Sequence, residues 1–482
     1  MIAGRRDNAW IERTRRWNLA SWLFLSIGIL LGAQWAYVEL GWGGYWAWDP
    51  VENASLLPWL TGTALLHSIM VQKHRGMLKV WNVSLIALTF VLCIFGTYLT
   101  RSGVIQSVHS FGQSVIGTFF LTFLAIVTIL SVILIVWRRK TLKAEHELAG
   151  MLGREGFFLA TNVLLVGIML VTLVGTIFPI ISGAFGGQAV TVGPSFYNKV
   201  VAPMGLLVVA MMACGPVLIY GADAAKRLAR GMILPGLLAI AAASAFWFYG
   251  IRNAWALICV AIVTAAVFNV LADLVRSFVQ RIRVHSESPF SAVLKLLDNN
   301  HRRYGGQIVH IGIVMIVGGI AGSSLFNVKK TFQLHPGESV KFAGRTLTFD
   351  KLSEVRHGNY TAVEATVSLS DPNGNTKIFK PERRFYDKAE EANSEVAIGS
   401  TWKEDVYFTL AGWEQNGQVS AIQAIVNPLV SWIWTGGLLL TVGAVIGLLP
   451  RIGPRTTEVR SEMPQAKRQP KRQRAARVPL PA

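Results

Sequence analysis

The chain has 482 residues, of which 52% are hydrophobic, and its formal net charge is +19. Repeated apolar runs of about twenty residues, the length that spans a bilayer core, exclude a soluble globular protein. The three cysteines stand singly within apolar runs, and no Cys-x-x-Cys-His haem attachment motif is present. The protein is therefore not itself a c-type cytochrome.

Hydropathy predicts about ten membrane-spanning helices. Their approximate spans are 19–40, 53–72, 80–99, 115–137, 157–179, 200–221, 231–249, 254–275, 306–325 and 428–449. The predicted fold class is an all-α polytopic membrane protein with a small β domain on its outer face. The predicted parts are a membrane helical domain (1–326), the β domain (327–427), a last transmembrane helix (428–450) and a disordered basic cytoplasmic tail (451–482).

The basic residues follow the topology of the chain. Lysine and arginine concentrate in the N-terminal segment, in alternate loops and in the tail, whereas the other short loops carry only Arg101, Lys199 and Arg252. Because cytoplasmic loops are enriched in Lys and Arg, both termini are predicted to be cytoplasmic. The charge thus needs no nucleic acid to explain it, and contact with anionic lipid headgroups is a secondary expectation.

A loop rich in tryptophan, residues 41–55, separates the first two spans and is predicted on the outer face; we call it the tryptophan loop. It reads Trp42-Gly-Gly-Tyr-Trp-Ala-Trp-Asp-Pro-Val-Glu-Asn-Ala-Ser55. Such a rigid, aromatic surface suits a flat ligand. One alternative is an aromatic belt at the membrane interface. For Asp49 and Glu52 another alternative is capping of the second helix.

Two histidines, His67 and His310, lie inside predicted spans. An ionisable side chain there is costly and is a functional candidate. Both lie roughly 7–9 Å from the inner end of their helices, from the rise per residue. Two imidazoles at one depth can ligate one iron from opposite faces, as in helical bundles that hold cofactors. The alternative is a hydrogen bond between helices.

Residues 327–427 are polar and carry the turn signal Asp371-Pro-Asn-Gly374. Val363, Ala365, Val367 and Leu369 alternate with Glu364, Thr366 and Ser368, which is the period of a strand. This segment is predicted to be a mainly antiparallel β domain. The tail from Arg451 is rich in Lys, Arg, Gln and Pro, a composition typical of disorder.

Several segments resemble the tryptophan-rich WWD haem-handling proteins of cytochrome c maturation, and in particular the CcmF family, the haem lyase component. The tryptophan loop, together with Pro58-Trp59, carries this resemblance, although Tyr45 and Ala47 stand where bulkier aromatics are common. Further matching segments are Thr100–Phe111, Arg302-Arg-Tyr-Gly-Gly306 before His310, Pro381–Tyr386 and Asn427–Trp434.

The resemblance implies that His67 and His310 hold a buried haem b with a structural or redox role. It makes His109 an axial ligand of a second, outer haem, which is the substrate. The predicted contacts of this substrate haem are Trp42, Tyr45, Trp46, Trp48, Asp49, Arg101 and His109. Arg101 is a candidate for a haem propionate, or alternatively an interfacial anchor. No catalytic residue is assigned.

The implied activity is cytochrome c haem lyase: thioether formation between haem vinyl groups and the Cys-x-x-Cys-His thiols of apocytochrome c. The implied partners are the apocytochrome, a haem chaperone and apocytochrome-presenting subunits, in the cell inner membrane. In the family a second outer histidine comes from a segment before the tryptophan loop. Here 41 residues without histidine precede Trp42, so an N-terminally shortened or split member is expected.

Two other functions stay open from the sequence. One is a non-catalytic haem carrier or exporter of the CcmC or CcsA type, against which the segment before His310 and the β domain argue. The other is a secondary transporter, which about ten spans would suit. No internal repeat and no matched pair of broken spans supports the transporter.

Overall fold

The structure is a computed structural model. It describes residues 9–105, 107, 109, 115–146, 148, 150–219, 223–389, 392–414 and 418–450. The tail 451–482, predicted to be disordered, lies outside the described residues. The described chain forms a helical bundle, then a β domain, then one last helix.

Ten helical stretches of the described chain are long and apolar enough to cross a membrane, which confirms the predicted fold class. The short helix α7 and helix α8 together form one of these ten stretches, and each of the other nine contains one long helix. We call the end that carries residues 40–49 the tryptophan end. The helices are α1 (Ala9–Glu39), α2 (Pro50–Arg75), α3 (Lys79–Ser102), α4 (Ile116–Arg138), α5 (Arg154–Gly186), α6 (Pro194–Cys214), α7 (Ala224–Gly231), α8 (Ile233–Phe248), α9 (Ala254–His285), α10 (Pro289–Leu325) and α11 (Val430–Leu448).

Helix α10 differs from its predicted span of 306–325. It begins at Pro289, where the Ser288 side chain accepts a hydrogen bond from the backbone N–H of Ser291 at 3.3 Å. Its backbone leaves the helical conformation at Asn300 (φ −145°, ψ 46°), which kinks the helix. The segment before the kink is polar, so hydropathy locates only the apolar part of α10, which follows the kink.

Glycines bring α10 and α11 close together. A Cβ atom on Gly305 would meet the carbonyl oxygen of Gly443 at 2.5 Å, and one on Gly312 would meet that of Gly436 at 2.5 Å. Small residues at such spacing let helix backbones approach closely inside a membrane. This contact fixes α10, and with it His310, against the rest of the bundle.

The β domain consists of two antiparallel sheets. One has the strand order β1-β10-β9-β8, and the other has the order β2-β3-β4-β6-β7 with β5 also paired to β4. The strands are β1 (Val328–Leu334), β2 (Ser339–Phe342), β3 (Arg345–His357), β4 (Tyr360–Ser370), β5 (Thr376–Phe379), β6 (Glu382–Tyr386), β7 (Asn393–Glu395), β8 (Ala397–Ser400), β9 (Glu404–Trp413) and β10 (Ser420–Pro428).

The core of the β domain lies between the two sheets. From β4 it takes Val363, Ala365, Val367 and Leu369, the apolar positions of the predicted alternation. Thr366, which the alternation placed on the polar face, is also buried.

Candidate functional site

The tryptophan loop is held by the first turn of α2. The Asp49 side chain accepts a hydrogen bond from the backbone N–H of Val51 at 3.0 Å. The Glu52 carboxylate accepts from the backbone N–H groups of Asp49 at 3.1 Å and Ala47 at 2.8 Å. This is a reciprocal capping box, which satisfies helix N–H groups and orders the loop. The capping role considered for Asp49 and Glu52 is therefore present.

Asp49 also contacts His109. The hydroxyl of Ser107 donates to Asp49 Oδ2 at 2.6 Å, and His109 Nδ1 lies 3.2 Å from the same oxygen. The backbone N–H of His109 donates to Ser107 Oγ at 3.0 Å. A carboxylate on Nδ1 orients an imidazole and leaves Nε2 for a metal. Asp49 and His109 are among the predicted contacts of the substrate haem, whereas the sequence indicates neither this bond nor a role for Ser107. No spacing rule joins residues that are 60 positions apart.

Trp48 packs against the start of α6. Its ring stacks on that of Tyr197, with centroids 4.8 Å apart and planes 11° from parallel. Its indole N–H donates to the Asn198 side-chain oxygen at 2.8 Å. Trp46 meets Trp48 edge to face at 5.9 Å. Trp48 has φ 59°, a backbone conformation that persists in a non-glycine residue only where surrounding contacts hold it.

The remaining predicted contacts of the substrate haem are Trp42, Tyr45 and Arg101. Tyr45 is directed into the bundle, where its hydroxyl lies 2.8 Å from Ser323 Oγ on α10 and its ring meets Trp434 of α11 edge-on. Burial raises the pKa of the Tyr45 phenol. Trp42 donates its indole N–H to the carbonyl of Ala36 at 3.2 Å. Arg101 is exposed near the end of α3. Its contact with a haem propionate stays a prediction.

His67 and His310 face each other across the bundle. Their ring centroids are 6.2 Å apart, and their planes are within 8° of parallel. The Thr63 carbonyl oxygen lies 2.8 Å from His67 Nδ1, which directs Nε2 away from its own helix. A ligating nitrogen lies about 2 Å from its metal, so two imidazoles on opposite sides of one ion have centres roughly 6 Å apart. The observed spacing fits a shared iron.

The pair supplies two nitrogen ligands. The part of the chain that the structure describes contains no group of three or more His, Cys, Asp or Glu side chains that could hold an ion. Iron in a macrocycle brings its equatorial ligands with it and needs only axial ligands from the protein. Two imidazoles at this spacing could therefore serve as the axial ligands of a haem iron.

The β domain contacts the tryptophan loop and the end of α1. Tyr37 donates its hydroxyl hydrogen to Asp405 Oδ2 at 3.2 Å. The Asn427 amide donates to the Tyr37 hydroxyl at 3.2 Å and to the Gly43 carbonyl at 3.1 Å. Burial raises the pKa of the Asp405 carboxyl. The loop, the end of α1 and the last strand thus share one buried polar network, so the β domain helps to position the site.

Gly43 lets the loop lie on this surface. It has φ +80°, and an added Cβ would collide with the δ-methyl of Ile425. We expect Gly43→Ala to lower the apparent unfolding temperature of the purified protein by a few degrees, because the left-handed backbone alone costs about 1–2 kcal/mol for an L-residue. Gly44→Ala is the matched control, since its Cβ would meet nothing nearer than the Trp42 ring at 3.5 Å. Equal unfolding temperatures for the two variants would contradict this account.

Comparisons with known proteins agree with this architecture. Residues 2–106 match a family profile described as cytochrome C assembly protein, and residues 325–428 match one described as CcmF C-terminal beta-sandwich. The chain is 37% identical to the cytochrome c-type biogenesis protein CcmF of Pseudomonas aeruginosa, covering 94% of this chain and 67% of the relative. The CcmF of Escherichia coli is 32% identical, with 95% and 69% covered.

A second relative from Escherichia coli and a solved structure extend the comparison. The probable cytochrome c-type biogenesis protein NrfE is 30% identical, with 92% of this chain and 66% of the relative covered. The solved structure of a protein named Cytochrome c Heme Lyase CcmF matches with a TM-score of 0.75 and 28% identity, covering 93% of this chain and 68% of that one. The chain thus spans about two thirds of the length of these relatives. Similarity over nearly all of this chain, in both the bundle and the β domain, shows that it belongs to the CcmF family of cytochrome c-type biogenesis proteins.

Proposed function

We propose that this chain is a haem lyase component of cytochrome c maturation, which holds a substrate haem at the tryptophan end and promotes its attachment to apocytochrome c. The observation that carries the proposal is the Asp49–His109 contact beside the ordered tryptophans. It presents a single imidazole, fixed through Nδ1, at an aromatic surface. A solved protein of similar fold is named a cytochrome c haem lyase, which supports the same activity here.

Each residue of this cluster has a defined task. Asp49 and Ser107 hold the His109 ring, so that Nε2 is available to the iron of the substrate haem. The Trp48 ring, braced by Tyr197 and Asn198, limits where the macrocycle lies. Holding the two reactants in one geometry removes much of the entropic barrier to their reaction.

The attachment itself is an addition. Each apocytochrome thiol forms a sulfur–carbon bond to a haem vinyl group, and the thiol hydrogen ends on the other vinyl carbon. The vinyl double bond becomes single, and no net oxidation or reduction occurs. The protein's task is to orient haem and motif, and no general acid or base is assigned. Apocytochrome c and the haem-delivering and apocytochrome-presenting proteins of the maturation system are the proposed partners.

We infer that His67 and His310 hold a resident haem b, which when bound supplies a one-electron redox centre. Their spacing and parallel planes support this. The Thr63 carbonyl orients the His67 ring. The close contact of α10 with α11 limits how far His310 can move. Both imidazoles are thus positioned by groups of the chain itself.

Covalent transfer tests the lyase function. Cells that lack their own family member should make a haem-stained reporter cytochrome, stable in denaturing gels, when they produce this full chain with the other maturation proteins. A reporter with both motif cysteines changed to serine is the control. Haem bound to the protein without transfer to the reporter would favour the alternative function, that of a non-catalytic haem carrier.

We propose further that the protein lies in the inner membrane with the β domain outside. The basic residues support this, because they concentrate in the loops at the end opposite the tryptophan loop. A cysteine at the exposed position Asn373 should react with an impermeant maleimide in intact cells, whereas one at exposed Lys143 should react only after lysis. The three native cysteines lie within spans, and the unsubstituted chain gives the background. The reverse pattern of labelling would invert the topology.

A further inference from the structure

We propose that the end of the bundle opposite the tryptophan loop holds a binding site for one anionic phospholipid. A cavity of about 900 Å³ opens there, where the end of α6, the short helix α7, the start of α8 and the inner parts of α9 and α10 meet. None of the residues assigned to haem lines it. Its place at the end of the spans puts it at the level of lipid headgroups.

The cavity is rich in positive charge. Five cationic side chains and two carboxylates, Asp223 and Asp273, line it. The cations are Lys226, Arg227 and Arg230 of α7, Arg276 of α9 and Arg303 of α10. The net charge of the lining is therefore +3. Such an excess in one concave site favours an anion.

Among the residues that the structure describes, Arg303 is the one cation of this lining that forms an ion pair with a carboxylate. Arg303 donates to Asp273 at 2.6 and 2.7 Å, and Gln307 donates to the same carboxylate. Within the part of the chain that the structure describes, no carboxylate pairs with Lys226, Arg227, Arg230 or Arg276. The lining thus holds four cations that form no ion pair with a described residue, and one further carboxylate, that of Asp223, which leaves an excess of positive charge that a phosphate group would complement.

The rest of the cavity identifies the anion as a lipid. Val217, Leu234, Pro235 and Phe268 form an apolar wall beside the cations. Along α8 this wall continues into Ile233, Leu237 and Ile240, whose side chains are 61%, 59% and 65% exposed. A free phosphate would leave this wall without a partner, whereas a phospholipid covers it with acyl chains. Basic pockets between membrane helices bind anionic headgroups in this way.

The site is separate from the histidine pair. Arg303 precedes His310 by seven residues on the same helix, about 10 Å along its axis. The proposal therefore stands or falls independently of the haem assignment, and its test needs neither haem nor apocytochrome.

The test measures lipid binding to the delipidated full chain by native mass spectrometry. We expect one phosphatidylglycerol to bind at least about tenfold more tightly than phosphatidylcholine, because each Lys or Arg adds an appreciable attraction to anionic lipid. The triple variant Lys226→Gln, Arg230→Gln, Arg276→Gln should lose this preference. The matched control, Arg139→Gln, Lys140→Gln, Lys143→Gln, removes the same charge at the same end outside the cavity and should keep it.

A second variant tests the apolar wall. Leu234→Trp keeps every charge but narrows the space for the acyl chain, so it should weaken phosphatidylglycerol binding, with an unchanged elution volume in gel filtration. Equal lipid preference in the cavity and control triple variants would overturn the proposal. So would displacement of the lipid by inorganic phosphate, which would make this a site for the free anion.

Discussion

Replacing His310 by alanine should abolish the low-spin b-type haem spectrum of the purified protein, and replacing His67 should do the same. The two rings lie parallel with centroids 6.2 Å apart, so each would supply one of two axial ligands. Loss of either leaves the iron with one protein ligand, which changes its spin state and weakens its hold. The visible spectrum of oxidised and dithionite-reduced protein measures the outcome, with near-complete loss of the low-spin bands expected.

The control for this result is His285→Ala, which removes an exposed histidine in the last turn of α9. It should keep the haem content and spectrum of the unsubstituted chain. Added imidazole should partly restore the low-spin bands of the His67→Ala and His310→Ala proteins, because it can occupy the vacated axial position. Full haem with unchanged bands in both alanine variants would show that the histidines do not ligate the iron.

Replacing His109 by alanine should abolish haem attachment to apocytochrome c while leaving the buried haem spectrum unchanged. His109 lies beside Asp49 at the tryptophan end, whereas His67 and His310 lie within α2 and α10. Haem staining of a reporter cytochrome measures attachment, and the spectrum of the purified protein measures the buried site. The control is His357→Ala, which replaces an exposed histidine of the β domain and should support normal attachment.

Asp49→Asn separates the two roles of Asp49. Asparagine caps a helix about as well as aspartate, so α2 should keep its start. The amide is a weaker partner for the His109 imidazole, so attachment should fall by about 10–100-fold, the usual effect of losing a partner of a metal-ligating histidine.

Normal holocytochrome yield from the His109→Ala protein, without added imidazole or thiol, would refute the assignment of His109 as a ligand of the substrate haem. A yield from Asp49→Asn equal to that of the unsubstituted chain would limit Asp49 to capping.

The spans and strands could be predicted from the sequence because each depends on local properties. A run of about twenty apolar residues satisfies the bilayer wherever it stands in the chain. Strand alternation in β4 similarly follows from one buried face. Hydropathy locates only the apolar part of α10, because its first turns are polar and begin at the Ser288 cap.

Part of the candidate site was also accessible from the sequence. The sequence pairs His67 with His310, because a histidine inside a span is costly and both lie at one depth. The sequence places Tyr45 with the tryptophans, because it stands among them. In the structure its hydroxyl lies 2.8 Å from Ser323 Oγ of α10. Composition shows that a residue is aromatic, but it does not show which way its ring points.

By itself, the sequence determined the membrane class, the order of helices and β domain, and which histidines are candidates. These follow from hydropathy, periodicity and the cost of burying charge. Only the tertiary structure decided that Asp49 contacts His109, that Trp48 stacks on Tyr197, and that Asn427 links the β domain to Gly43. These contacts join residues 60 to 384 positions apart. They depend on how whole helices and sheets pack, which no local pattern encodes.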